Sequence, residues 1–405
     1  MIAPRFNFGH ELQLLQGGDD FFAALVAAID ASAHEIRLET YIFHFDVSGE
    51  NVAAALVRAA QRGVAVCVVM DGIGTPRIPP EWEERFADAH VQWHRFAPLG
   101  FLGLLAPARW RRMHRKLCVV DAQIAFCGGV NILDDLCDPV WGTLDTPRFD
   151  FSVRVRGPLV ADVHRAMSQF WDRLQVTRQL EHLQFERARQ LWLRPVKAAT
   201  LSHSDAASGD SVHVGAEAAL VLRDNVQNRT RIERTYRKAI ADARSEVLIA
   251  NAYFLPGGKL RRALMFAAKR GVRVTLLLQG QYDNFMQFHA SRPVFGALLA
   301  AGVEIYEYSS GFLHAKVAVI DGRWATVGSS NLDPLSMLLA REANIVVRDA
   351  PFAQELRLCL TSAMDAHGVR LGAHTFANRP LRHRFLDWVA YGLMRGMLFL
   401  TGTRY

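Results

Sequence analysis

Two stretches constrain this 405-residue chain more than anything else in it: HRKLCVVDAQIAFCGGVN at 114–131 and HAKVAVIDGRWATVGSSN at 314–331. They share the pattern HxKxxxxDxxxxxxG(G/S)xN, while the apolar residues between the fixed positions differ. Selection for packing alone would hold the apolar residues and let an imidazole, an amine and an amide drift. The residues held twice are those with chemistry to offer.

The repeat reaches well beyond the motif. IRLETYIF (36–43) and VLIANAYF (247–254) have strand character, and each precedes a helix-patterned segment ending in Arg-Gly, at 51–63 and 259–271. The glycine suits a helix C-cap, and VAVCVVMDG or VRVTLLLQG comes next as a β-branched, apolar strand. Strand, helix, strand is a βαβ unit, which requires parallel pairing and a buried sheet. The fold class is therefore α/β, a duplicated half with a sheet of its own in each copy. The first half is expected over 8–197, an Ala/Ser/Gly-rich linker over 198–219 and the second half over 220–370.

Alternation along a strand puts His114 beside Lys116, and His314 beside Lys316, with Leu117, Val119, Val317 and Val319 turned to the interior. Asp121 and Asp321 complete the motif's catalytic set in name. They come where the strand pattern gives way, a position suited to holding local structure. Gly128 and Gly129, with Gly328 and Ser329, are expected to offer backbone N–H groups to an anion, and Asn131 and Asn331 to add side-chain amides. Two lysines, two asparagines and two histidines suit a tetrahedral anion, with phosphate the obvious candidate. One histidine can attack phosphorus while the other protonates the leaving alkoxide and then deprotonates the acceptor. No metal is expected, because HxK lacks a second ligand at zinc spacing and two lysines repel a cation.

The bulk composition adds boundaries. A net charge of +7 favours an anionic partner, whether nucleic acid or an acidic membrane surface. The five cysteines form no CxxC pair and sit largely in apolar runs, which reads as buried free thiols in a reducing compartment. The N-terminus has no signal-like core, and no stretch is apolar for long enough to span a bilayer.

These residues closely resemble the phospholipase D superfamily, and WATVGSSNLDPLS (324–336), REANIVV (341–347) and ANAYFLPG (250–257) point within it to bacterial cardiolipin synthases. The resemblance implies two α/β/α sandwich halves related by a pseudo-twofold, with one cofactor-free active site at their seam. It implies transfer of a phosphatidyl group between two phosphatidylglycerol molecules, giving cardiolipin and glycerol through a phosphohistidine. By analogy His114 is the nucleophile and His314 the general acid/base, with Asp150 and Glu342 orienting the two histidines. The alternatives are another enzyme of the superfamily (a phospholipase D, a phosphatidylserine synthase or a nuclease) and an inactive lipid-binding scaffold.

Phosphatidylglycerol, other anionic phospholipids and the membrane surface are the expected partners, and nucleic acid is not. The apolar and basic run before His114 supports this reading, with Phe101, Leu102, Leu104, Leu105, Arg109, Trp110, Arg111 and Arg112 as membrane contacts. A helix over 380–405 carrying Phe385, Trp388, Val389, Leu393, Met397 and Leu400 near one stripe would lie on the same surface. The expected location is peripheral, on the cytoplasmic face of the cell membrane.

Overall fold

The computed structural model describes residues 4–98, 110–181, 212–224, 228–281 and 285–400. The strand and helix patterns of each repeat form as expected. Glu35–Thr40 pairs in parallel with Ala65–Asp71 across the helix Val47–Gln61, and Glu246–Asn251 with Arg273–Gln279 across Gly258–Lys269. Gly63 and Gly271 end the two helices at φ +89° and +86°, the left-handed conformation that a glycine adopts at no steric cost. Asp46 starts the first helix by accepting from the Gly49 amide.

The halves do not keep separate sheets, contrary to the sequence expectation. Asn7–Gln16 and Val212–Arg223 pair antiparallel, and on either side of them the strands succeed one another in the same order. One 16-stranded sheet results, with the pseudo-twofold between those two strands. The reason is chain length and pattern: Val212–Arg223 is long enough to bond to both Asn7–Gln16 and Ala340–Arg348. Residues 212–219 are therefore strand, and the second half begins at 212 and not at 220. Residues 198–211 of the expected linker lie outside the described residues.

Helices cover both faces. On one face each half has its own core, around Leu25, Leu56 and Val68 in the first and Ile240, Leu264 and Leu276 in the second. On the other face a single core is shared, under the helices Leu159–Glu181 and Ala350–His367. Leu117 and Val119 meet there with Val317, Val327 and Ile345. These residues face inward as alternation requires, but the interior they enter belongs to both halves. This shared core of tightly buried branched side chains fixes one half against the other.

At the end of the chain, Leu381–Leu400 forms a helix packed on Phe285–Ala300. It turns Asp387, Ala390 and Met394 inward, where Asp387 pairs with His289 at 2.7 Å and with Arg379 at 3.0 Å. The stripe Phe385, Trp388, Val389 and Leu393 is exposed. Among the described residues no helix is long and apolar enough to cross a membrane.

Candidate active site

Both histidines stand just ahead of a central strand, on segments that bond across the seam. The His114 amide donates to the Arg341 carbonyl at 3.0 Å and the His314 amide to the Phe149 carbonyl at 2.9 Å. Each backbone is thus held by the opposite half, and so is each side chain. His114 Nδ1 lies 3.1 Å from Glu342 Oε2, and His314 Nδ1 lies 2.6 Å from Asp150 Oδ2. A carboxylate can only accept, so each Nδ1 carries the proton and each Nε2 presents its lone pair. Both rings line one cavity of about 430 Å³.

Asn131 and Asn331 line the same cavity. The Ile42 amide donates to Asn131 Oδ1, which leaves the side chain's NH₂ as its donor. Lys116 and Lys316 lie beneath, buried, each donating to the carbonyl of its own histidine. Lys316 Nζ also lies 3.6 Å from Asp150. Burial and the neighbouring lysine push the Lys116 ammonium down to about 7, and burial pushes Lys316 down to about 8. Burial also depresses both histidines, His314 to about 3, with Lys316 adding to the effect. Burial alone would raise Asp150, but Lys316 and His314 hold it below the usual carboxylate range. Burial is the leading cause of all four depressions, and the cavity is lined by Asp135, Asp138, Asp150 and Asp333 together with Arg112 and Arg148.

Several sequence assignments need correction. Asp121 and Asp321 take no part in the cavity. Asp121 collects the amides of Ala33, His34 and Glu35, and Asp321 those of Arg244, Ser245 and Glu246. Each sits at positive φ in a tight turn and clamps the strand before its βαβ helix. Nor do the motif glycines offer amides to an anion, because the sheet uses them. Gly128 N donates to Lys116 O, Gly129 N to Phe151 O and Ser329 N to Ala343 O.

The glycines instead give clearance. A Cβ on Gly129 would stand 2.2 Å from Asp150 Oδ1, and one on Gly128 would stand 2.1 Å from Ser152 Oγ. A Cβ on Gly328 would meet the Asn344 side chain at 2.4 Å. Ser329 is hydrogen-bonded through its hydroxyl to Glu342.

Of the expected membrane contacts, Phe101, Leu102, Leu104, Leu105 and Arg109 lie outside the described residues. Trp110 lines the cavity and Arg111 is exposed. Arg112 is not available to headgroups in the way expected, because its guanidinium pairs with buried Asp71 at 3.1 Å and bonds to the Ala97 carbonyl. Trp388 is exposed on the C-terminal helix.

The motif reading missed residues that the wider repeat could have supplied. In IRLETYIF and VLIANAYF the two tyrosines stand one position apart, Tyr41 matching Ala252 and Ile42 matching Tyr253, and all four residues line the cavity. The Tyr41 ring stands 4.9 Å from that of His114. Asp71 and Gln279 also match. Each closes the second strand of its βαβ unit and accepts the backbone amide of the residue just before a histidine, Met113 or Leu313. Arg148 and Asp135, which come after the first motif, line the cavity as well. They have no counterpart in the second half and no signal in the repeat.

Among the described residues, His44, Asp46 and Cys137 bring possible metal-ligand atoms within 4.8 Å of one another. Asp46 is already committed there, to its helix cap and to the Asp134 amide.

The family model for the PLD-like domain of cardiolipin synthase matches residues 25–137 and 236–361. The chain is 40% identical over 350 residues to cardiolipin synthase B of Escherichia coli (strain K12), covering 86% of this chain and 79% of that protein. It is 28% identical over 386 residues to the cardiolipin synthase of Alkalihalophilus pseudofirmus, covering 94% and 71%. Among solved structures, the phosphatidylserine synthase of Haemophilus influenzae Rd KW20 superposes with a TM-score of 0.64 at 12% identity, over 98% of this chain and 96% of that one. The polyphosphate kinase of Porphyromonas gingivalis superposes with a TM-score of 0.56 at 14% identity, over 95% and 53%. At those identities the two structures bear on the fold alone.

Proposed function

The chain belongs to the cardiolipin synthase family of phospholipase D-like proteins, and from that premise we propose that it joins two phosphatidylglycerol molecules into cardiolipin, with release of glycerol. The observation that carries the reading is the pair of histidine–carboxylate contacts crossing the seam into a single cavity.

The first phosphatidylglycerol places its phosphodiester over Lys116 and Lys316, with Asn131 and Asn331 donating to the equatorial oxygens. Anion binding draws protons back onto the lysines and onto one histidine, reversing the depression that burial imposes. His114 Nε2 attacks phosphorus, the bond to the glycerol oxygen breaks, and His314 Nε2 gives its proton to the departing alkoxide. Glycerol leaves. The hydroxyl of a second phosphatidylglycerol gives its proton to His314, its oxygen attacks phosphorus, and the P–N bond breaks to restore His114. Asp150 and Glu342 hold the Nδ1 protons throughout, so each ring keeps its orientation and stabilises the positive charge it acquires.

On the same reading the protein sits peripherally on a phospholipid surface at the cytoplasmic face. The exposed stripe of the C-terminal helix, Phe385, Trp388, Val389 and Leu393, is a membrane contact under this proposal. The test is purified protein incubated with phosphatidylglycerol vesicles in excess chelator, with lipid products followed by mass spectrometry. Cardiolipin and glycerol are expected. Phosphatidic acid as the main product would mean that water is the acceptor and would overturn the assignment.

A further inference from the structure

The two halves differ most in the segment after the motif. In the second, ten residues separate Asn331 from Glu342, and they include the short helix Pro334–Leu338. In the first, 18 residues separate Asn131 from Asp150, and the added length forms a small ribbon. Cys137 pairs with Thr143 and Asp138 with Gly142, whose φ of +79° closes the turn. Asp138 Oδ1 accepts the amides of Val140 and Trp141, and Asp138 Oδ2 pairs with Arg148 at 2.8 Å. Arg148 also donates to the Asp134 carbonyl, and Leu144 N to Leu136 O. The ribbon is well braced.

Its tip is apolar and faces water: Val140 is 83% exposed and Trp141 56%. Both also line the cavity that holds the histidines. A braced turn that holds a tryptophan and a valine in solvent at the mouth of the site calls for an apolar partner there.

We propose that this ribbon is a membrane finger, whose tip Pro139-Val140-Trp141 enters the boundary between headgroups and acyl chains of a phospholipid bilayer. The inference rests on the reading of the substrate as a phospholipid. A cavity of about 430 Å³ has room for a headgroup and glycerol backbone but not for two acyl chains, each of which spans half of a core about 30 Å thick. The chains must stay in the bilayer while the phosphate reaches His114 and His314, so the rim of the cavity has to touch the membrane. Tryptophan suits that depth, with an apolar ring and a polar N–H. Of the four aspartates around the ribbon, Asp134, Asp135, Asp138 and Asp145, Asp138 is paired with Arg148, and it is the chain as a whole, at a net charge of +7, that favours an anionic surface.

The experiment uses vesicles of phosphatidylcholine and phosphatidylglycerol whose acyl chains carry bromine near the headgroup. Bromine quenches tryptophan at that depth. The native chain should be quenched, and Trp141→Phe should remove a share of the quenching that Trp388→Phe does not. In flotation with the same vesicles, Val140→Ser/Trp141→Ser should weaken binding at least about tenfold. Its melting transition, compared with that of the native chain, reports whether it folds, and the Trp141→Phe arm stands whatever that result. Trp141→Phe quenched as fully as the native chain would overturn the proposal. So would loss of a lipid-free dimer on substituting the tip, which would make the patch a seat for a second copy. Cardiolipin formation by the native chain from phosphatidylglycerol in detergent micelles is scored separately. Synthesis without Trp141 quenching defeats the finger alone, and quenching without synthesis defeats the functional reading alone.

Discussion

The two halves present the same motif on matching strands, yet each histidine has a different setting. His314 faces Asp150 at 2.6 Å, and Asp150 also neutralises Lys316. His114 faces Glu342 at 3.1 Å, a carboxylate shared with the Ser329 hydroxyl, and its ring stands against Tyr41. Beside His114 the wall carries the Asp71–Arg112 ion pair; beside His314 the matching positions are Gln279 and Phe312. Duplication built a cavity with two nearly identical histidines, the reacting groups of the proposed mechanism, and the surroundings separate them. That is what a two-step transfer needs, since a nucleophile and an acid/base must differ in how firmly they hold a proton.

The largest effects should come from the histidines themselves. His114→Ala and His314→Ala should each lower cardiolipin synthesis by at least about 10⁴-fold, read as kcat on phosphatidylglycerol. Equal residual activity in a variant and a no-enzyme control supports the shared site; near-normal turnover in either would break it. Next come the carboxylates. Asp150→Asn should cost about 10³- to 10⁴-fold in kcat, because it removes the charge that stabilises the His314 imidazolium and leaves buried Lys316 without its counter-charge. Glu342→Gln should cost less, because an amide oxygen can still accept from Ser329 and His114.

A sharper probe is the one place where the motifs differ. Gly129→Ser puts a Cβ 2.2 Å from Asp150 Oδ1, and a displaced carboxylate should lower kcat about 10²-fold. Ser329→Gly removes a hydroxyl that donates to Glu342 and accepts from the Ala343 amide, and should cost about tenfold. If the two exchanges cost the same, the halves are more alike than their geometry indicates.

The smallest effect is in pH. Lys116 and Lys316 are depressed to about 7 and about 8 by burial, so their charge is present below that range and lost as pH rises through it. KM for phosphatidylglycerol should therefore climb above about pH 8. Binding of a phosphodiester at that pH should take up protons, measurable by calorimetry in buffers of different ionisation enthalpy. Proton release would contradict a lysine-lined anion site.

Much of the site was legible because chemistry and period coincide in it. His114, Lys116, Asn131 and their partners in the second half repeat at fixed spacing, and strand alternation alone pairs each histidine with its lysine. The roles of the glycines were misread for a physical reason. In a string, Gly128-Gly129 could mean either open amides or clearance, and only the approach of Asp150 decides between them. Asp121 and Asp321 share the motif without sharing the cavity, since clamping three amides is as exacting a task as binding a phosphate. The joined sheet could not be seen because edge pairing between Asn7–Gln16 and Val212–Arg223 depends on register across about two hundred residues. The ribbon at 137–143 is an insertion, so the repeat that revealed everything else was silent about it.

The central claim is that one histidine carries the phosphatidyl group and the other moves the proton. It is tested most directly by trapping the adduct. The His314→Ala chain, mixed with a phosphatidyl ester of p-nitrophenol, whose leaving group needs no proton, then quenched in base and digested, should carry a phosphatidyl group on the peptide containing His114, because the acceptor can no longer be activated to remove it. The His114→Ala chain should carry none. An adduct on the peptide containing His314 in the His114→Ala chain, with none at His114 in the other, would reverse the two roles and contradict the account.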